Sequence, residues 1–268
     1  MIKEVFLNRK IVWNLAKDDL KKRFAGSAFG IFWAFVPPII TTLLYWFVFE
    51  KGLHASASNL RTGVTVPFVL HLMAGLVPWF FFQEAWGSGT NVLLEYSYLV
   101  KKVVFKIEVL PVVKMMSALF THLFFVVFMI ILYACMGYYP DWYTLQVVYY
   151  SFALFCFTVA ITYFTSAIVV FLRDVSQLVG IAMQIGVWVT PIMWTIEGMS
   201  NIPAWAVTIL RMNPLYYIVY GYRDSMINKI GFWEHPYLTA WYWGLTIVMY
   251  LIGTHVFKKL KMHFADVL

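Results

Sequence analysis

The chain has 268 residues, of which 62% are hydrophobic, 20% aromatic and only 12% charged. This composition excludes an ordinary soluble domain and is typical of a polytopic membrane protein. The net charge of +7 does not indicate nucleic-acid binding, because the basic residues flank apolar stretches and belong to no recognisable binding module.

The first element is a basic, amphipathic segment over residues 8–24. Its apolar positions recur every three to four residues, at Val12 or Trp13, Leu15 or Ala16, Leu20 and Phe24. The opposite face carries Lys10, Asn14, Lys17, Asp18 and Lys21. This pattern predicts a helix that lies in the membrane interface with its lysines towards the headgroups. The alternative is an amphipathic helix that packs on a soluble domain.

An uncharged stretch, residues 25–49, follows directly and is long enough to cross a bilayer. A cleaved signal peptide would have a shorter apolar core that ends at small residues, so we expect a retained span. Further spans are predicted at residues 62–86, 112–137, 142–172, 175–196 and 237–257. The predicted fold is therefore all-α and integral to the membrane, a single domain with six transmembrane helices.

Basic residues are distributed unequally between the two sides that these spans define. With the amino terminus inside, fifteen of the twenty lysines and arginines fall on the cytoplasmic side. The remaining five are Lys51, Arg61, Arg211, Arg223 and Lys229. The positive-inside rule therefore predicts that both termini are cytoplasmic.

The cysteines and histidines within the spans are better explained by packing roles than by a disulfide or a functional site. Cys135 and Cys156 fall at different depths of the third and fourth spans, so we do not predict a disulfide. His71 and His122 lie within spans, where an ionisable side chain can mark a functional site, but we favour hydrogen-bonded packing roles. The sequence has no CxxC, HExxH or carboxylate cluster, and we expect no metal or cofactor on this chain.

The connection between the second and third spans, residues 88–110, contains a short amphipathic pattern. One helical face would present Leu93, Leu94, Tyr98 and Leu99, with Glu95, Lys101 and Lys102 beside it. A small helix of this kind on the cytoplasmic side is suited to docking a soluble partner. The alternative, a membrane-surface loop without a partner, fits the periodicity nearly as well.

Residues 197–236, between the fifth and sixth spans, form the longest outer connection. Two apolar, aromatic pieces within it are interrupted by Pro203 and by Asn213-Pro214, and each is too short to cross the membrane. We therefore predict two re-entrant half-helices that cap an exit path. Charged side chains there would have to face protein, water or one another.

A tight inner turn joins the fourth and fifth spans at FLRDVSQL, residues 171–178. Arg173 and Asp174 lie at the membrane edge, where they can pair with each other or with a partner subunit. A plain local ion pair at the start of the fifth span is an equally good interpretation.

Several blocks together give the chain a specific resemblance. They are LKKRFAGSAFGIFWAFVPP at 20–38, LVKKVVFKIEVLPV at 99–112, FLRDVSQL with TPIMW at 190–194, and NPLYYIVYGYRD at 213–224. In order and spacing the chain resembles the membrane subunit of a type 2 ABC exporter of lipid-linked cell-surface polysaccharides. It departs from that family where Phe-Pro-x-Glu is usual, because Lys106 replaces the proline. The block PFVLHLMAGLVPWFFF at 67–82 is most similar to teichoic-acid exporters.

The resemblance implies a homodimer of this chain with two copies of a separate ATPase in a bacterial plasma membrane. The expected substrate is wall teichoic acid linked to a polyprenyl diphosphate, and the alternative is O-antigen or capsular polysaccharide. The sequence has no GxxxxGK[ST] phosphate loop, so we expect no catalytic residue here and place ATP and Mg²⁺ on the ATPase subunit.

The resemblance also implies roles for individual residues. The substrate head group would be attracted by Lys17, Lys21, Lys22 and Arg23. The pore between spans one, two and five would be lined by Tyr45, Trp46, Trp79, Trp188 and Trp194. The ATPase would be coupled through Leu94, Tyr98, Lys101, Lys102, Glu108, Arg173 and Asp174. The outer gate would contain Arg211, Asn213, Pro214, Arg223 and Asp224.

Two other classes of function remain open at this point. An ion-coupled secondary transporter would usually show paired halves or several acidic residues near the membrane midplane, whereas here the charge-free windows contain no acid and Glu84 lies near an inner end. A membrane-embedded transferase would need clustered His, Asp or Glu at one face, whereas the histidines here are dispersed.

Overall fold

The computed structural model describes residues 1–101, 106–196 and 202–268, and these residues are almost entirely helical. In chain order the α-helices are α1 (Ile2–Leu7), α2 (Arg9–Arg23), α3 (Val36–Trp46), α4 (Phe68–Thr90), α5 (Val92–Glu95), α6 (Ser97–Val100), α7 (Leu110–Cys135), α8 (Gln146–Val169), α9 (Asp174–Val189), α10 (Ala204–Met212), α11 (Pro214–Arg223), α12 (Pro236–Leu260) and α13 (Phe264–Val267). Two-residue strands, β1 (Ala57–Ser58) and β2 (Thr65–Val66), pair antiparallel to form a small hairpin.

Short non-α helices connect several of these elements. The 3₁₀ turns are Gly30–Ala34, Ile107–Val109, Trp142–Leu145, Phe232–Glu234 and Lys261–His263. Single π turns, Phe47–Gly52 and Asp224–Asn228, extend α3 and α11. Proline stands in the first turn of α3, α7, α11 and α12. Its fixed φ suits that position and its missing N–H costs no hydrogen bond there.

Helices α4, α7, α8 and α12 form the core of the bundle. Helix α4 is buried along most of its length, and Leu70 O accepts a hydrogen bond of 2.7 Å from the hydroxyl of Tyr133 on α7. Helices α8 and α12 pack with their backbones close together at Gly253, where a Cβ atom would lie 2.6 Å from Ala160 O. Small residues permit this close approach between membrane helices.

Within residues 1–101, 106–196 and 202–268, five helical stretches are long and apolar enough to cross a membrane. They are Gly30–Gly52, Phe68–Thr90, Ile107–Cys135, Trp142–Val169 and Pro236–Val267. Helix α9 is apolar but has only 16 residues, which span about 24 Å at 1.5 Å per residue. The chain is thus an all-α integral membrane protein. The predicted fifth span, 175–196, contains this shorter helix, followed by non-helical backbone from Thr190 to Ile196.

Helices α3 and α9 both lie at the periphery of the single chain. Helix α3 has no buried residue, and on α9 only Val179 and Met183 are buried. Both helices nevertheless consist mainly of large apolar side chains. In a membrane these surfaces face lipid or another protein chain, because apolar area of this extent is not left against water.

The two ends of the bundle carry different elements, and we name them separately. We call the end that carries α1, α2, α5, α6 and α13 the basic end. The other, which carries the hairpin, residues 136–145 and residues 224–235, we call the distal end. The prediction placed the basic end in the cytoplasm.

Helix α2 packs against α7 through Val12, Ala16 and Asp19, which are buried within the single chain. One prediction about the short elements was wrong in detail. The amphipathic helix expected near residue 95 is two single turns, α5 and α6, separated at Tyr96. Within it, Leu93 is fully buried while Tyr98 is exposed.

Candidate functional site

The four residues predicted to attract a head group all lie on α2, but they differ in their partners. Lys17, Lys21 and Lys22 are exposed, and the Lys17 ammonium lies 4.9 Å from the centre of the Trp13 ring. Arg23 ends the helix and forms an ion pair with Glu84 on α4. Three of the four cations are therefore available to an anion, and Arg23 is engaged by a carboxylate.

A cavity of about 450 Å³ lies between the α2–α3 connection and helices α4 and α7. Arg23 and Glu84 lie at one end of it, and its walls include the rings of Phe80, Phe81 and Phe125. A cavity with charge at one end and apolar walls is suited to an amphipathic molecule. The sequence did not reveal it, because residues separated by about a hundred positions form its walls.

A charged cluster, Asp19, Glu95, Tyr96 and Lys114, lies beside this cavity at the basic end. The Lys114 ammonium lies 2.6 Å from an Asp19 oxygen and 2.7 Å from a Glu95 oxygen. The Tyr96 hydroxyl donates to the same Asp19 oxygen over 2.8 Å. We refer to these four residues as the Asp19 cluster.

Burial and hydrogen bonding act in opposite directions on the Asp19 cluster. Burial tends to raise the pKa of Asp19, but the hydrogen bonds from Lys114 and Tyr96 and the Lys114 charge outweigh it and lower that pKa. Burial, together with the bond to Asp19, raises the pKa of Tyr96. Asp19 is therefore ionised at neutral pH, with Tyr96 as a neutral donor.

The Asp19 cluster was not predicted from the sequence, although a signal for it was present. Asp19 lies at helical spacing from Val12 and Ala16, and Lys114 is an isolated lysine at the start of an apolar span. An acid on the packed face of one helix and a base in the first turn of another predict a buried ion pair. Lys114 entered the prediction only as one of the basic residues that set the membrane topology, so its pairing with Asp19 was not predicted.

A smaller, charge-lined cavity of about 280 Å³ adjoins the Asp19 cluster. Its walls include three residues of the cluster and the end of α2, and are formed by Asp19, Lys22, Arg23, Glu84, Ser88, Glu95 and Lys114. Three basic and three acidic residues balance one another there. Arg23 and Lys114 are paired with carboxylates and become available to an anion only when these partners release them, whereas Lys22 is exposed and available at once.

The predicted pore aromatics do not all line one cavity. Tyr45 and Trp79 line one cavity of about 410 Å³ between α3, α4 and α9, together with Thr41, Gln83 and Gln184. Trp188 and Trp194 lie near the end of α9, where the Trp194 indole donates to Trp188 O over 3.0 Å. Trp46 instead donates to Glu50 over 2.7 Å.

Residues predicted to couple an ATPase lie at the basic end. Tyr98, Lys101, Arg173 and Asp174 are exposed there, and Leu94 is half-buried. Glu108 forms an ion pair with Lys261 over 2.8 Å, which ties the start of the third span to the end of α12. The ring centroids of Phe171 and Phe264 are 6.0 Å apart, so α13 packs beside the Arg173 turn. Lys102 lies outside the described residues.

The predicted gate residues lie at different depths of the bundle. Arg223 and Asp224 lie where α11 ends, near the distal end, whereas Asn213 and Pro214 line a cavity with Trp79 and Phe157 from the middle of α4 and α8. Residues 197–201 are not described. Asn213 caps α11 by accepting from Leu215 N, and its amide donates to Thr190 Oγ1 over 2.9 Å. Pro214 is the first residue of α11, and Arg211 is exposed. Arg223 is buried and donates to Ile192 O over 2.6 Å.

The distal end is held together by contacts between three loops. The Lys229 ammonium lies 3.0 Å from the Asp141 carboxylate, and this pairing outweighs burial and lowers the pKa of Asp141. Arg61 of the hairpin forms an ion pair with Glu234 over 2.9 Å. Buried Asp224 lies 3.3 Å from His235, and this hydrogen bond raises the pKa of His235. The second half of the outer connection is thereby fixed to its neighbours.

His71 and His122 make packing contacts within the bundle. His122 Nε2 lies 3.1 Å from the hydroxyls of both Ser151 and Tyr222. His71 stacks on Phe68 at a centroid distance of 5.8 Å. Cys135 and Cys156 are both free thiols. Among the described residues no group of histidine, cysteine, aspartate and glutamate is arranged to hold a metal ion.

Comparison with known proteins identifies the family of this chain. The family model described as ABC-2 type transporter matches residues 11–227. The chain belongs to the ABC-2 type transporter family. Membership makes it the membrane-embedded part of a transporter that works with an ATPase partner.

Full-length relatives of this ABC-2 type transporter carry a more specific name. The chain is 23% identical to the O-antigen export system permease protein RfbA of Myxococcus xanthus over 272 residues, which cover 99% of this chain and 98% of the relative. It is 25% identical to a protein of the same name from Klebsiella pneumoniae over 260 residues, which cover 95% and 93%.

The family match includes most of the candidate site. Residues 11–227 contain nearly all of α2, the Asp19 cluster, the cavities of about 450, 280 and 410 Å³, and α11. Helix α12 follows the matched region, but the alignments with the relatives extend over nearly the whole chain. The cavities beside α2 are therefore features of the transporter itself and not of an added domain.

Proposed function

We propose that the chain is the membrane subunit of an ATP-driven exporter that moves a lipid-linked polysaccharide across the bacterial plasma membrane. The observation that carries this proposal is the family match together with relatives named O-antigen export permeases that align over nearly the whole chain. Both termini and the basic end would face the cytoplasm, in agreement with the positive-inside rule.

The entrance would lie beside α2. The exposed Lys17, Lys21 and Lys22 would attract the diphosphate of a polyprenyl-linked substrate, since clustered basic side chains at the membrane surface bind phosphate. The 450 Å³ cavity with aromatic walls supports this role, because it offers an apolar space directly next to Arg23. Arg23 would join the other cations once Glu84 releases it.

The polymer would pass between two copies of the chain. Helices α3 and α9 leave apolar surfaces uncovered, and a second copy would bury them. Tyr45 and Trp79 share a cavity with Gln83 and Gln184, and this combination of rings and amides suits the stacking and hydrogen bonding of sugars. Trp46, Trp188 and Trp194 would extend the aromatic lining.

ATP hydrolysis would be supplied by two copies of a separate ATPase, which also hold ATP and Mg²⁺. The exposed Tyr98, Lys101, Arg173 and Asp174 lie together with α13 at the basic end, and they offer polar and aromatic contacts to such a partner. Movement of this surface would tilt α4, α7 and α9. The distal contacts at Arg223 and Asp224 would then separate and open the exit.

Two classes of polymer remain candidates for the substrate. The names of the relatives favour O-antigen, whereas the block at 67–82 resembles teichoic-acid exporters. Both polymers share the polyprenyl diphosphate that the entrance would recognise. The difference between them lies in the glycan, and hence in the contacts along the pore.

The decisive experiment is transport by the complete complex in proteoliposomes. The chain would be purified with its ATPase and supplied with an O-antigen precursor, a teichoic-acid precursor or bare polyprenyl diphosphate. We expect ATP-dependent transport and stimulated hydrolysis with one glycan and little effect of the bare lipid. Equal transport without ATP would instead indicate a secondary transporter. Turnover by the isolated chain would indicate a transferase.

A further inference from the structure

The Asp19 cluster joins three separate elements of the basic end. Asp19 belongs to α2, Glu95 and Tyr96 belong to the α5–α6 region, and Lys114 belongs to the first turns of α7. Tyr96 contacts Asp19 directly, and Lys114 contacts both carboxylates. The helix that carries the entrance lysines is therefore connected to the segment that carries Tyr98 and Lys101.

The two carboxylates of the cluster are bound unequally. The Lys114 and Asp19 side chains are only 5% and 2% exposed, whereas Glu95 is 53% exposed. A pair at the protein surface contributes little to stability, but breaking a buried pair leaves an uncompensated charge. Lys114 therefore holds Asp19 firmly and Glu95 loosely.

Stability alone does not require charges at this position. Well-packed apolar side chains of similar size often stabilise a protein at least as well as a buried ion pair does. Charged groups differ in one respect, because their attraction persists over a few ångströms while packing contacts are lost at once. A cluster of this kind can transmit a displacement without holding the elements in one position.

We propose that Lys114 is a positioning residue that transmits movement of the α5–α6 region to α2, through Asp19. Lys22 and Arg23 follow Asp19 by one helical turn and line the same 280 Å³ cavity. A displacement of Glu95 and Tyr96 therefore changes the position of the entrance cations. The inference deepens the proposed function and depends on it for the identities of the two surfaces.

The test compares breaking the cluster with replacing it. Asp19→Asn removes the charge that Lys114 faces, and Asp19→Leu/Lys114→Met replaces the pair with apolar side chains of similar size. Asp18→Asn, on the exposed face of the same helix, is the matched control. For each complex we would measure melting temperature, ATP hydrolysis and glycan transport.

The double variant separates transmission from folding. We expect its melting temperature to lie above that of Asp19→Asn, which leaves Lys114 buried without its main partner, while transport per ATP falls about five- to tenfold in both variants, within the usual range of coupling between sites. Asp18→Asn should change neither quantity. If the double variant transports as much glycan per ATP as the unaltered complex does, Lys114 has only a structural role and the proposal is overturned.

A distance measurement tests the connection without any substrate. Spin labels would be placed at Asn14→Cys on α2 and Ser97→Cys on α6, in a chain whose Cys135 and Cys156 are replaced by serine. With the ATPase bound, we expect nucleotide to leave this distance nearly unchanged when the cluster is intact and to lengthen it in the double variant. Equal responses in both chains would contradict the link.

These two measurements distinguish the inference from the proposed function. The distance experiment needs the ATPase and nucleotide but no glycan. If the unaltered complex transports none of the glycans and the labels still respond as expected, the substrate assignment fails and the link stands. If transport occurs and the labels respond equally in both chains, the link fails alone.

Discussion

Arg23 and Glu84 form an ion pair that connects the last residue of α2 to α4. Because Arg23 is one of four basic residues expected to attract a diphosphate, Glu84 competes with the substrate for it. Both side chains are partly exposed, at 28% and 23%. The pair is therefore within reach of a ligand that arrives from the cavity.

Removing this competition should strengthen substrate engagement. We expect Glu84→Gln to lower the apparent KM for a lipid-linked glycan about two- to fivefold, since a partly exposed ion pair contributes roughly 0.2–1 kcal/mol. Asp18→Asn, which removes an exposed acid from α2, serves as the control. A raised KM with Glu84→Gln would show that the pair supports the entrance and does not compete with the substrate.

The free lysines of α2 should have the opposite effect. We expect Lys21→Glu/Lys22→Glu to raise the apparent KM at least about tenfold, because two attractive charges become repulsive to a diphosphate. Arg9→Glu/Lys10→Glu changes the same net charge at the other end of the helix. Unchanged transport in the first double variant, or equal losses in both, would argue against a head-group role.

Charge reversal at the predicted coupling segment should separate hydrolysis from transport. We expect Lys101→Glu/Lys102→Glu to leave basal ATP hydrolysis in place and to abolish its stimulation by substrate, because the ATPase would meet a surface of the wrong charge. Lys258→Glu/Lys259→Glu, at the end of α12, is the control for a general charge effect. Normal stimulated hydrolysis together with normal transport would refute the coupling role of these lysines.

The class of fold could be predicted from the sequence because the bilayer alone determines how apolar and how long a spanning helix must be. The uncharged stretch at 25–49 needed no partner to be recognised. In contrast, the buried face of α2 depends on Lys114, ninety-five positions away. Helical spacing alone places Asp19 on the face of Val12 and Ala16, but an acid is buried there only because a lysine on another helix compensates its charge.

Residues near the distal end show the same limit. The sequence suggested that Arg223 and Asp224 would face protein, water or each other. Their actual partners are Ile192 O, Asn228 and His235, which come from a non-helical segment and a π turn. Neither irregular backbone nor a single π turn produces a sequence periodicity from which side-chain partners can be predicted.

The contact between His235 and Asp224 should make distal stability depend on pH. The hydrogen bond to Asp224 raises the pKa of His235 above its unfolded value, which is about 6.5. The stabilisation is therefore fully present below about pH 6.5 and is lost as the pH rises through the folded pKa.

Replacing this histidine gives a direct measurement. We expect the difference in melting temperature between the unaltered chain and His235→Asn to be larger near pH 6 than near pH 8.5, because folded His235 loses its proton as the pH rises. His54→Asn, in the exposed loop before the hairpin, is the matched control. A difference that is the same at both pH values would mean that the charged form of His235 contributes nothing.

The close packing of α8 and α12 leads to a prediction about stability. A Cβ atom at Gly253 would lie 2.6 Å from Ala160 O and 3.1 Å from Phe164 N, and backbone atoms cannot yield as a flexible side chain does. We expect Gly253→Ala to destabilise the protein by about 1–3 kcal/mol, which is the usual cost of overpacking a core.

Gly244 provides a control on the same helix. A Cβ atom there would meet nothing within 4 Å, so Gly244→Ala should leave the melting temperature unchanged or raise it slightly. Thermal unfolding of both variants in one detergent measures the contrast. Equal melting temperatures would mean that α8 and α12 can move apart at no cost, in which case their contact is not a fixed part of the bundle.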